Sequence, residues 1–258
     1  MKKNIILVLI LVVFVANQLL AQTHVSGSIA TNTVWTPGGS PYVVDDDVTV
    51  ELGVSLTIQA GVIVKFNDFW DGITVLGTLN AIGTDSNPII FTSIADDAHG
   101  GDTNGDGDAT VPGPDQWSTI DYHEGGTGTL QYCWISYGGG EYSANVHINE
   151  SSVTVDHCTI SNSAERGIWI GSASPDITNN LFENNLTQAI WAEGFDTIKT
   201  FSLINNIFHN NQWAVYANLT DETNDINLAG NVSTGAVGDF GRNGFGLAGS
   251  IAGNVSYT

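Results

Sequence analysis

The sequence predicts an all-β fold: a right-handed single-stranded parallel β-helix, a solenoid with coils of about 22–26 residues. Three observations predict it. A short unit recurs at a near-constant period, the apolar runs are short, β-branched or aromatic and alternate with period two, and Gly, Asn, Asp and Ser fill the intervals between them.

Residues 1–21 stand apart from this pattern. Lys2 and Lys3 precede an unbroken apolar run from Ile5 to Ala16, and a short segment ends at Ala21. This is the layout of a secretory signal peptide, and the run is too short for a membrane span. The chain is therefore expected to be secreted or at the cell surface, without membrane insertion after cleavage. Residues 22–47 read as an N-terminal cap region and residues 48–258 as the β-helix.

Beyond the leader only Lys65, Arg166, Lys199 and Arg242 are basic, against 27 Asp and Glu in the whole chain. Phosphate binding needs clustered Lys or Arg, so nucleic acid and anionic membranes are excluded as partners. Neutral glycans and divalent cations suit this surface better.

The recurring units are Gln131–Ile135, Asp156–Ile160, Thr178–Phe182, Ile204–Phe208, Ala229–Ser233 and Ala252–Ser256. Their centres are Cys133, Cys158, Asn180, Asn206, Asn231 and Asn254, spaced 25, 22, 26, 25 and 23 residues apart. Three positions before each centre lies an apolar residue: Leu130, Val155, Ile177, Leu203, Leu228 or Ile251. A fixed internal offset inside a regular period implies stacked coils, with strands about 4.8 Å apart and inward columns of apolar side chains.

An inward Asn column can bond both the turn backbone and the Asn on the next coil, which satisfies polar groups that would otherwise be buried unpaired. Cys133 and Cys158 occupy the same column and are expected to be stacked, reduced and buried rather than bridged. Five Asn-x-Ser/Thr triplets, at Asn149, Asn185, Asn218, Asn231 and Asn254, read as turn chemistry.

The period also holds earlier in the chain, where Phe66 and Phe91 are 25 residues apart, but it breaks before Trp117. Residues 94–116 are rich in Asp, Gly and Pro and read as a loop inserted between coils.

The segments Val48–Phe66, Gly77–Ser93 and Gly167–Asn185 resemble secreted right-handed parallel β-helix proteins of the pectate-lyase-like superfamily, especially large extracellular ones of Bacteroidetes-type bacteria. The resemblance covers nearly all of the chain after the leader. It implies the architecture strongly and the chemistry hardly at all, because one such fold hosts lyases, glycosidases and members without assigned activity. The chain stops inside a coil at Thr258, so a longer protein is expected.

Within the insertion, Asp102-Thr-Asn-Gly-Asp-Gly-Asp108 places Asp102, Asn104 and Asp106 at positions 1, 3 and 5 of an EF-hand-type loop, with Gly107 at position 6. Asp108 offers its backbone carbonyl. Position 12 is Gly113 instead of the bidentate Glu, and Asp96, Asp97 or Asp115 could supply the missing carboxylate. The expectation is a structural Ca2+, the alternative a solvated acidic loop.

Aligning Ile120-Asp-Tyr122, Val146-His-Ile148, Ile168-Trp-Ile170, Ile190-Trp-Ala192 and Val215-Tyr-Ala217 gives a second pattern. Inward flanking residues force the central ones outward, as a ladder of Asp121, His147, Trp169, Trp191 and Tyr216. His123, Asn149, Gly171, Glu193 and Asn218 follow two positions on. Aromatic rings beside hydrogen-bonding groups suit the faces and hydroxyls of a neutral polysaccharide or cell-surface glycan. Simple ring-on-ring stacking and a protein contact are the competing readings. A further outward column, Trp134, Thr159, Leu181, Ile207, Val232 and Val255, is apolar without an evident reason.

Catalysis finds little support. Arg166 is the only basic side chain near the ladder, and Asp121 and Glu193 stand three rungs apart, about 14 Å, too far for a glycosidase pair. Asp121, His147, Arg166 and Glu193 are the weak catalytic candidates, for a lyase or glycoside hydrolase. A non-catalytic glycan-binding module is the favoured reading, with a structural or adhesin stalk as the third.

Overall fold

The computed structural model describes residues 22–193, 200–219, 225–234, 245–249 and 255–256. They form a right-handed parallel β-helix with three faces, in which each coil contributes one strand to each face.

Face A stacks the second half of Tyr42–Val50, then Ile73–Val75, Ile120–Tyr122, Ala144–Asn149, Arg166–Gly171, Gln188–Glu193, Trp213–Leu219 and Phe245–Gly249. Face B runs from Thr33–Trp35 through Ser55–Gln59, Thr78–Ile82, Thr127–Gln131, Ser152–Asp156 and Asp176–Thr178 to Val255–Ser256. Face C stacks the first half of Tyr42–Val50, then Ile63–Phe66, Ile89–Ser93, Cys133–Ser136, Thr159–Ser161, Leu181–Glu183, Ile207–His209 and Val232–Thr234. Faces A and C share the long strand Tyr42–Val50, on which Thr23–Ile29 also pairs, so the region read as a cap already carries rungs of the stack.

Parallel pairing in register turns the period-two alternation into columns. Ile120, Val146, Ile168, Ile190 and Val215 follow one another inside face A, and Leu130, Val155, Ile177 and Leu203 inside face B; all are buried. Phe91, Ile135, Ile160, Phe182 and Phe208 do the same inside face C, where Phe182 and Phe208 stack at 5.3 Å. Each buried aliphatic or aromatic side chain contributes about 1.5–3 kcal/mol.

The corners explain the Asn, Tyr and His residues that flank each repeat centre. Positive φ occurs one position before the centre, at Tyr132, His157, Asn179, Asn205 and Gly230, and four after it, at Tyr137, Asn162, Asn184 and Asn210. Left-handed backbone turns the chain between faces, and Asn and Gly tolerate it best.

The Asn column is a hydrogen-bonded ladder. Asn180 Nδ2 donates to Asn206 Oδ1 at 3.0 Å, and Asn206 Nδ2 donates to Asn231 Oδ1 at 3.1 Å. The same oxygens accept backbone N–H groups, and Asn180 Oδ1 accepts the N–H of Cys158 at 2.8 Å. Cys133 and Cys158 are free and buried, and burial pushes the Cys133 thiol well up. A second ladder at another corner, Asn185 on Asn211 at 2.9 Å, escaped the sequence reading, although its members lie five positions after each repeat centre. Asn185 is therefore an interior residue. Asn254 and Ile251 lie outside the described residues.

The insertion lies across the outer side of face C. Lys65 is fully buried beneath it, and its Nζ donates to the carbonyls of Asp96 and Gly101, each at 2.8 Å. His99 packs edge-on against Trp134. The outward apolar column is thus covered at its first rungs, where Ile90 is buried, and open beyond them at Trp134, Ile207 and Val232. Val255 does not continue that column: it pairs with Ile226 on face B, because the last coil is offset from the repeat alignment.

Candidate functional site

The outward ladder of face A is built as the alternation requires. Asp121, His147, Trp169, Trp191 and Tyr216 pair in register on five successive rungs. Their exposure differs from the sequence expectation. Asp121 is 3% exposed and His147 8% exposed, and Trp169, Trp191 and Tyr216 are half-buried.

Two packing relationships cause this. Tyr142, on the corner before Ala144–Asn149, lays its ring over His147 at 5.7 Å and 20°. The ladder members also cover one another: His147 against Trp169 at 4.6 Å, and Trp191 on Tyr216 at 4.6 Å. Arg166 adds its guanidinium, with Cζ 5.2 Å from the Trp169 ring and 4.9 Å from the Trp191 ring, a cation–π arrangement. Arg166 also pairs with Glu165 at 3.0 Å. Its Nε and the indole Nε1 atoms of Trp169 and Trp191 are buried without a hydrogen-bond partner.

Asp121 and His147 form a hydrogen-bonded pair, with Nδ1 2.9 Å from Oδ1; a carboxylate only accepts, so Nδ1 carries the proton. His123 approaches the other oxygen of Asp121 at 3.8 Å from an exposed position. Among the described residues the Nε2 of His147 makes no hydrogen bond.

Beside the ladder runs an open groove of about 420 Å3, lined by His147, Asn149, Trp169, Gly171, Ser172, Glu193 and Asn218. It crosses four rungs of face A. Gly171 keeps its floor low, since a Cβ there would sit 2.8 Å from Asn149 Oδ1. Ser172 turns the corner at φ 47°. The Glu193 carboxylate has no hydrogen-bond or ionic partner among the described residues. Of the sequence-predicted ligand residues, the groove gathers His147, Trp169 and Glu193; Asp121 sits behind His147, and Trp191 and Tyr216 stack further along the face. Tyr142 and Ser172 were not anticipated. Ser172 had a signal, the corner position three residues past Trp169.

In the insertion, carboxylate oxygens of Asp97, Asp102 and Asp106 lie within 4.8 Å of one another. Asp102 folds the loop around itself by accepting the N–H groups of Gly105 and Gly107 at 2.8 and 2.9 Å. One oxygen each of Asp97 and Asp106 is buried without a partner, which fits a hard cation. Burial and the neighbouring Asp102 carboxylate hold Asp97 above the usual carboxylate range.

The structure adds the Asp97 carboxylate to those of Asp102 and Asp106, which the loop spacing picked out. The Asn104 amide borders this group, its Nδ2 donating to Asp106 at 3.0 Å. Asp96 is committed to Thr92 and His99, and Asp115 lies by Glu165. No helix among the described residues is long and apolar enough to cross a membrane.

Residues 116–233, which contain every residue lining the groove, match the family model described as a right handed beta helix region. No curated protein and no solved structure matches the chain.

Proposed function

We propose that this chain is a secreted or cell-surface β-helix module that binds neutral polysaccharide, without cleaving it, in the groove on face A. The observation that carries this reading is the lining: an imidazole, an indole edge, two amides, a hydroxyl and one carboxylate spread over four rungs. Rungs rise about 4.8 Å, close to the length of one sugar unit, so successive sugars meet equivalent positions. Rigid aromatic surface with a few fixed polar groups suits a ligand that is apolar on its faces and hydroxylated at its edges.

A glycan array probed with residues 22–258 tests it, alongside Gly171→Val and a Trp169→Ala, Trp191→Ala double variant. Valine at position 171 is designed to fill the floor of the groove, where an added Cβ meets only the Asn149 side chain. Binding that both variants abolish supports the reading. Array binding that Gly171→Val leaves intact moves the site away from the groove.

A polysaccharide lyase or glycoside hydrolase is the second reading, and one observation favours it: the Asp121–His147 pair presents an imidazole to the groove with its Nδ1 proton fixed, as a general base requires. Release of reducing or unsaturated ends from a polysaccharide panel, lost in His147→Ala, would replace binding with turnover as the function. A structural or adhesin stalk is what remains if neither binding nor turnover is found.

The Asp97, Asp102 and Asp106 carboxylates are proposed to hold a structural Ca2+ that orders the insertion. The unpartnered oxygens of Asp97 and Asp106 support this, and nothing in the groove depends on it.

A further inference from the structure

Charge adds a selectivity that the aromatic and amide groups do not supply. Among the described residues Lys65 and Arg166 are the only Lys and Arg. Lys65 is buried under the insertion, and Arg166 is held between two indoles and Glu165. Neither lines the groove. The groove does contain the Glu193 carboxylate, half-buried and unpaired among the described residues. Behind His147 lies Asp121, and that pair adds no net positive charge in either protonation state of the imidazole. The whole chain carries a formal net charge of −21, which favours the approach of cationic ligands over anionic ones.

We propose that the groove selects polysaccharides bearing free, protonated amino groups, of the glucosamine-polymer type, with Glu193 as the counter-ion. The inference rests on the glycan reading of the groove and adds the substrate class. An ammonium at the sugar edge reaches the carboxylate while Asn149, Asn218 and Ser172 meet hydroxyls, and a charge-assisted hydrogen bond is about twice as strong as a neutral one. An N-acetyl group at the same position removes the charge and adds bulk. A lysine-rich peptide offers the ammonium without the hydroxylated rings.

Titration calorimetry at low ionic strength with four probes tests this: a glucosamine hexamer, its fully N-acetylated counterpart, cellohexaose and hexalysine. The wild-type chain is expected to bind the amino hexamer about tenfold more tightly than the acetylated one, and Glu193→Gln to bring that ratio close to one. Asp176→Asn, an exposed carboxylate on face B, is expected to leave the ratio unchanged. Equal affinity for the amino and acetylated hexamers would overturn the amine selectivity while leaving the glycan groove in place. So would a ratio that survives Glu193→Gln. Hexalysine binding as tightly as the amino hexamer would reassign the groove to cationic peptide. Binding of none of the four, by a chain whose melting curve shows it folded, would overturn the glycan reading of this groove for these sugars and the inference with it.

Discussion

His147 donates its Nδ1 proton to Asp121 across one rung of face A, at 2.9 Å, and both side chains are almost fully buried. A carboxylate removed from water needs this partner, because an uncompensated buried charge costs several kcal/mol. The pair therefore ties two rungs together as well as orienting the imidazole toward the groove. A double-mutant cycle over Asp121→Ala and His147→Ala is expected to give a coupling energy of about 1–3 kcal/mol in urea unfolding. Additive single effects would show that the two side chains are neighbours without a working bond.

The Asn ladder makes a sharper prediction. Asn206 accepts from the backbone and side chain of Asn180 and donates to Ile177 O and Asn231. Asn206→Ala should strand a buried N–H and a buried amide, at about 2–4 kcal/mol, and should speed hydrogen exchange at the Asn180 amide. The neighbouring Asn205 is exposed in the left-handed region at φ 57°, so Asn205→Gly should change stability by less than about 1 kcal/mol. Similar losses for the two variants would mean that the ladder is not what holds this corner.

These two sites mark what the sequence makes legible. Period and alternation suffice to place Asn180, Asn206 and Asn231 in one inward column and Asp121 to Tyr216 in one outward column, since both follow from chain spacing alone. They do not say what lies above an outward residue. Tyr142 covers His147 from a corner whose conformation no periodicity specifies, and Arg166 lies over two indoles because its flexible stem can reach them. The ion cluster shows the same boundary. The Asp102 and Asp106 spacing is local and readable, whereas the partnership with Asp97 depends on how the insertion closes over Lys65.

Acid should stabilise one corner of the helix. Burial first, then the Asp68 and Asp47 carboxylates, raise Asp71 to about 6, although the backbone N–H of Asp68 donates to it. The folded pKa lies above the unfolded value of 3.8, so the folded state binds the proton more tightly. Ionised Asp71 therefore destabilises the native chain at neutral pH, and this penalty disappears as pH falls through about 6 toward 4. Asp71→Asn keeps an acceptor for the Asp68 N–H, so it should raise the melting temperature at pH 7 and show little advantage near pH 4. An advantage of the same size at both pH values would assign the effect to packing.

Calcium should act on the insertion and not on the stack. Among the described residues Lys65 is the Lys or Arg that lies beneath this loop, and burial lowers its pKa while Asp96, Asp97 and Asp102 oppose the shift. In limited proteolysis, cleavage within residues 94–116 is expected to slow markedly with millimolar Ca2+. A ligand at 100 times its dissociation constant adds about 2.7 kcal/mol to the state that binds it. Asp97→Asn and Asp106→Asn should each remove that protection, whereas Asp108→Asn should not, because Asp108 stands outside the converging group. Lys65→Met should open the loop without calcium, by leaving the carbonyls of Asp96 and Gly101 unpaired. Protection that persists in both Asp97→Asn and Asp106→Asn would place the ion elsewhere, and no protection in the wild type would leave the loop held by Lys65 alone.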